Sequence, residues 1–127
     1  MISTPVRILI VEDDFNLQNM YHMKFDLEGF DVKVASNGKE GFDLCKTYMP
    51  DMVLLDLRMP IMSGEEMLTK LRSEQWGSDV RVIVLTNISK NEAPQSLRFL
   101  NVDQYIVKAH STPAQIVAVV KDILGLG

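Results

Sequence analysis

The stretch Val6-Arg7-Ile8-Leu9-Ile10-Val11-Glu12-Asp13-Asp14 runs an apolar segment straight into three consecutive acids. A short run rich in Val, Ile and Leu suits a strand buried on both faces, because a sheet covered by helices on both sides needs no polar alternation. Four more such runs lie along the chain. Met52 to Leu55 precedes Asp56, Val80 to Leu85 precedes Thr86, Tyr105 to Val107 precedes Lys108, and Val32 to Ala35 leads into Ser36-Asn37. If all five lie parallel in one sheet, their carboxyl ends share an edge where three carboxylates, a hydroxyl and an ammonium meet. That edge is where open α/β sheets bind ligands.

Segments of helical period fill the gaps, so the order reads strand, helix, five times. In the first helix Leu17, Met20, Met23 and Leu27 recur at three and four residues, and Gly29 closes it. Asn37 with Glu40, and Ser63 with Glu66, have capping-box spacing for the second and third. The last takes Ser111 or Thr112 as cap and Pro113 in its first turn, followed by Ile116, Val117, Val119, Val120, Ile123 and Leu124. Alternating strands and helices imply right-handed crossovers and helices on both faces of a parallel sheet.

The fourth helix is the irregular one. Started at Ser89, it would lose the hydrogen bond from Pro94 to Lys90; started at Asn91, it places Pro94 in the first turn, where the missing N–H is harmless. This spacing predicts a long loop after Thr86 and a short helix ending near Leu100, with Asn101 as left-handed cap.

Length and composition bound the rest. At 127 residues and 46% hydrophobic, the chain is expected to be one domain over 1–127, with a core of about 6–124 and no output domain. Met1 to Pro5 reads as a short leader, and Leu124 to Gly127 as the end of the domain. A net charge of −4 gives no basic footprint, so nucleic-acid binding is not expected. The single cysteine, Cys45, sits in a helical stretch and reads as a small hydrophobe. No apolar run approaches the roughly 18 residues of a membrane span, and no secretory leader is seen, so a cytoplasmic protein is expected.

The chemistry centres on the strand ends. Asp13, Asp14 and Asp56 would crowd three negative charges together, which is costly unless a cation neutralises them. Carboxylates, a backbone carbonyl and water suit Mg²⁺. An Asp after the first strand also suits the cap of the first helix, which accounts for one of the pair. Asp56 can act as a nucleophile toward phosphorus if charge on the phosphoryl oxygens is stabilised, and the candidates for that are the metal, Thr86 and Lys108.

Val11-Glu12-Asp13-Asp14, Leu54-Leu55-Asp56-Leu57-Arg58-Met59-Pro60, Ser63-Gly64, Leu85-Thr86 and Tyr105-Ile106-Val107-Lys108 together resemble the receiver domain of two-component response regulators. The resemblance runs from about Val6 to Leu124. It implies a flavodoxin-like five-stranded parallel sheet of order 2-1-3-4-5 with five helices. It implies that Asp56 accepts a phosphoryl group from a sensor histidine kinase or phosphotransfer protein. By the same carry-over Asp14, Asp56 and the Arg58 main-chain carbonyl hold Mg²⁺, with Asp13 acting through water. Thr86 and Lys108 would bind phosphoryl oxygens, and Tyr105 would be the aromatic that moves inward as Thr86 is drawn to the phosphate. Tyr105 also suits a strand by propensity alone. Three residues depart from the family pattern: Ala109 where Pro usually follows the lysine, Asn87 where a very small residue often follows the threonine, and Pro94 in the fourth helix.

The expectation is therefore a stand-alone receiver that signals through altered contacts with a downstream protein or a second copy, by way of the fourth helix, fifth strand and last helix. Two alternatives belong to other classes. A small aspartyl-nucleophile phosphatase would need a second acid two residues after Asp56, where Arg58 stands. A receiver-like docking module that is never phosphorylated would not need the full set of site residues.

Overall fold

All five apolar runs form strands of one parallel sheet in the computed structural model, which describes residues 4–126. The strands are β1 (Arg7–Val11), β2 (Asp31–Ala35), β3 (Met52–Leu55), β4 (Val82–Thr86) and β5 (Gln104–Val107), in the order β2-β1-β3-β4-β5. The flavodoxin-like topology is the expected one. Residues 1–3 of the expected leader, and Gly127, lie outside the described residues.

Strand alternation divides the core in two. Ile8, Ile10, Leu54 and Ile83 face one side, where they are covered by α1 (Phe15–Leu27) and α4 (Pro113–Ile123) through Phe25, Ile116 and Val120. Leu9, Val11, Val53 and Leu55 face the other, under α2 (Gly38–Tyr48) and α3 (Gly64–Ser73) with Phe42, Met67 and Leu71. Burial on both faces explains why the central strands carry no polar alternation.

The helix starts follow the capping chemistry. Asn37 accepts from Glu40 N at 2.9 Å, Ser63 and Glu66 form a reciprocal capping box, and Thr112 does the same with Gln115 ahead of Pro113. Gly29 (φ 93) follows α1 and Asn101 (φ 57) takes the left-handed conformation expected of it.

Two expectations are corrected. The described residues hold four α-helices, not five: the segment after β4 forms 3-10 turns at Lys90–Glu92 and Gln95–Phe99. Asn91 does not cap a helix with Pro94 in its first turn, because Pro94 pushes the residue before it out of the helical region, and Ala93 is extended (φ −64, ψ 144). The second 3-10 turn starts after Pro94 and ends at Leu100. In α1 the periodicity located a helix but chose its outer face. Met20, Met23 and Leu27 are exposed and Leu17 half-buried, while Gln18, Tyr21 and Phe25 are buried.

Arg72, on α3, ties down the segment that follows the missing helix. Its guanidinium donates to the carbonyls of Leu100 (2.8 Å), Asn101 (3.0 Å), Gly77 (2.9 Å) and Val80 (2.7 Å). A planar fork of donors suits several carbonyls at once in a way a lysine cannot. Among the described residues no helix is long and apolar enough to cross a membrane.

Candidate functional site

Parallel register carries the sequence motifs to one edge. Val11 pairs with Leu55, so Glu12 and Asp56 leave the sheet side by side; Thr86 pairs with Val107, so Lys108 is the next residue out. Asp56 N donates to the Val11 carbonyl at 3.0 Å and Glu12 N to the Ala35 carbonyl at 2.9 Å, which fixes both backbones at the edge.

Asp56 is 7% exposed. Its Oδ1 accepts from the Leu57 amide at 2.7 Å and from the Arg58 amide at 3.4 Å, and its Oδ2 accepts from Lys108 Nζ at 2.8 Å. Lys108 Nζ also bonds Glu12 Oε1, so one ammonium bridges two buried carboxylates. Burial alone would lower the lysine's pKa, but its hydrogen bonds to Asp56 and Glu12 outweigh this and raise it. Burial pushes the Glu12 carboxyl up against the opposing pull of Lys108.

Glu12, Asp13 and Asp56 each offer a carboxylate oxygen, and these lie within 4.8 Å of one another. Asp14 is not part of that group. Its Oδ1 accepts from Leu17 N at 3.0 Å as the N-cap of α1. The acid pair facing Asp56 is thus shifted by one residue from Asp13-Asp14 to Glu12-Asp13. Glu12 was missed as a site residue; the signal for it was the cap spacing from Asp14 to Leu17, which commits Asp14 to the helix.

Beyond the acids, Asp56, Arg58, Thr86, Asn87, Glu92 and Lys108 line a cavity of about 430 Å³. Thr86 is 1% exposed and its Oγ1 accepts from Ile88 N at 3.4 Å. Tyr105 is half-buried, its hydroxyl donating to the Ile88 carbonyl at 2.7 Å. Burial, with Asp56 and Glu92 nearby, raises its pKa. The strand-end residues Asp56, Thr86 and Lys108 therefore share one cavity, with Tyr105 one residue removed through Ile88.

The loop from Asp56 to α3 is tightly built. Gly64 N donates to the Leu57 carbonyl at 2.9 Å, and a Cβ at Gly64 would collide with the Asp56 carbonyl. Met62 N donates to the Pro60 carbonyl at 2.7 Å across Ile61 (φ 69), a γ-turn that a β-branched residue adopts only under strain.

The family model for the response regulator receiver domain matches residues 8–121. The chain belongs to that family. Receiver domains are signalling domains of two-component systems, in which phosphorylation and Mg²⁺ are typical. Response regulator MprA of Mycolicibacterium vanbaalenii is 39% identical over 82 residues, covering 65% of this receiver and 35% of MprA. The probable transcriptional regulator ycf27 of Porphyridium aerugineum is 32% identical over 118 residues, covering 93% of this receiver and 48% of the relative. The chain thus spans less than half the length of either protein. A CheY-like receiver domain protein from Methanospirillum hungatei superposes with a TM-score of 0.85 at 27% identity, over 96% of this receiver and 95% of that chain. A chain of the CheX-CheY-BeF3-Mg complex from Borrelia burgdorferi gives 0.84 at 25% identity, over 94% and 90%.

Proposed function

We propose that this receiver accepts one phosphoryl group on Asp56 from a phosphohistidine, in a Mg²⁺-dependent reaction, and passes the signal on by altered protein contacts. The observation that carries the proposal is the convergence of Glu12, Asp13 and Asp56 beside Lys108 and Thr86 at one sheet edge. A donor set made only of carboxylates fits Mg²⁺, and the Arg58 carbonyl follows Asp56 closely enough in the chain to join it. Mg²⁺, when bound, supplies charge neutralisation at the phosphoryl oxygens. The similar chain from the Borrelia burgdorferi complex was crystallised with BeF3 and Mg²⁺, which supports this assignment.

The protein's own groups divide the work. An Asp56 carboxylate oxygen forms the new bond to phosphorus as the donor's nitrogen–phosphorus bond breaks, and the leaving imidazole takes up a proton. Lys108 pairs with Asp56 beforehand and then shares its charge with the phosphoryl oxygens. The Thr86 hydroxyl becomes a donor to the same group. Asp56, held at the carboxyl end of β3 by its own loop amides, needs little reorganisation before attack.

The donor is a sensor histidine kinase or phosphotransfer protein. The output surface is the face of β5 and α4 with the two 3-10 turns that replace the expected helix, and its occupant is a downstream protein or a second copy. Incubation with acetyl phosphate and Mg²⁺, read by intact mass, tests the chemistry. One added phosphoryl group is expected in the parent and none in Asp56→Asn. Equal labelling of both would overturn the assignment.

A further inference from the structure

Gln18 is a buried amide on a helix face that otherwise meets the core with Tyr21 and Phe25. It is 7% exposed, and its burial is costly unless the amide is bonded. The Nε2 atom donates to the Glu12 carbonyl at 3.0 Å, the Ala35 carbonyl at 3.2 Å and Ser36 Oγ at 3.3 Å. All three acceptors sit where β1 and β2 leave the sheet. The Ala35 carbonyl also accepts from Glu12 N, so the two strand ends and the helix meet at one knot of bonds.

The consequence is directional. Holding the Glu12 carbonyl fixes the plane of the Glu12-Asp13 peptide, and that plane sets where both carboxylates point. From the other side, Glu12 Oε2 accepts from Asp14 N at 3.1 Å, which ties the same turn to the start of α1. A donor is needed at this position, because the Glu12 and Ala35 carbonyls it faces can only accept.

We infer that Gln18 is a positioning residue for the acid cluster: it sets the Glu12-Asp13 peptide and, through it, the affinity for Mg²⁺. The second half rests on the proposal that Glu12, Asp13 and Asp56 hold that ion. Residues that orient metal ligands without touching the ion change affinity by roughly 10-fold or more when removed.

The test compares Gln18→Leu and Gln18→Met with the parent and with Ser36→Ala, which removes one acceptor and leaves both carbonyl bonds. In the metal-free proteins, nitrogen–proton correlation spectra should show the Glu12 and Asp13 amides moved and exchanging faster in both Gln18 variants, with β4 amides at parent values. Titration with MgCl2 should show dissociation constants weakened roughly 10-fold in both and unchanged in Ser36→Ala. Should Gln18→Leu not fold, the longer and more adaptable Gln18→Met carries the comparison. Parent-like Mg²⁺ affinity in a Gln18 variant that has merely lost melting temperature would show a packing role only and overturn the inference. A parent indifferent to Mg²⁺ overturns the metal assignment and the affinity half with it, while the metal-free amides still decide whether Gln18 holds the peptide.

Discussion

The Tyr105 hydroxyl donates to the carbonyl of Ile88 at 2.7 Å, and the amide of the same Ile88 donates to Thr86 Oγ1 at 3.4 Å. One residue of the loop after β4 therefore touches both the hydroxyl that shares a cavity with Asp56 and the aromatic of β5. On the proposed function, drawing Thr86 toward a phosphoryl group on Asp56 would take Oγ1 from Ile88, and the loop would have to resettle under Tyr105. Such a pair of arrangements, biased by one charged group, is what a phosphorylation switch requires.

Thr86→Ala should accordingly still accept a phosphoryl group at Asp56, because Lys108 and the acids remain, yet lose most of the response at Tyr105. Chemical-shift mapping with and without phosphorylation checks it. A full parent-like change at Tyr105 in the variant would show that coupling bypasses Thr86.

Gly64 has no room for a side chain, since its Cβ would drive into the backbone of Asp56. Gly64→Ala should lower stability by about 1–3 kcal/mol, the usual cost of overpacking. It should also slow phosphorylation by moving the acceptor. Urea unfolding and acetyl phosphate labelling measure the two effects. Unchanged rate and stability together would mean the loop yields freely.

How far these features are legible in the sequence depends on what creates each one. The strand runs stand out because β1, β3 and β4 are buried on both faces, which leaves Ile8 to Val11 and Val82 to Leu85 without polar interruptions. The inner face of α1 does not, because two of its three buried residues, Gln18 and Tyr21, carry polar groups, and the acceptors that make burial of the Gln18 amide tolerable come from the ends of β1 and β2. The lost helix hinges on the conformation Pro94 imposes on Ala93, an effect on the preceding residue and not on the helix position of proline itself.

Cys45 is buried on the core-facing side of α2, and burial pushes its thiol up to about 12. In the unfolded chain the thiol ionises near its ordinary value, roughly 8.5. Between these values the folded state holds more protons than the unfolded one, so stability should fall as pH rises from the ordinary thiol range toward about 12. Below that range this contribution is fully present. Cys45→Ala should flatten the decline seen in denaturant unfolding above the ordinary thiol range, and a decline equally steep in the variant would assign it to other groups. The native thiol should also resist alkylation at pH values where a free cysteine reacts.

The three acids after β1 separate by role when each is changed alone. Asp14 caps α1 through Leu17 N, so Asp14→Ala should cost about 1 kcal/mol of stability and leave the Mg²⁺-induced rise in melting temperature in place. Asp13 is the exposed member of the carboxylate cluster, so its loss would remove one of the proposed ligands and disturb little else. Asp13→Ala should therefore abolish the rise. Glu12→Gln keeps the shape but leaves Lys108 with one buried carboxylate partner in place of two, which should cost stability as well as Mg²⁺ affinity. Thermal melts of the three variants with and without excess Mg²⁺ decide the order. Loss of the rise in Asp14→Ala with retention in Asp13→Ala would return the metal site to Asp14 and refute the cluster as assigned.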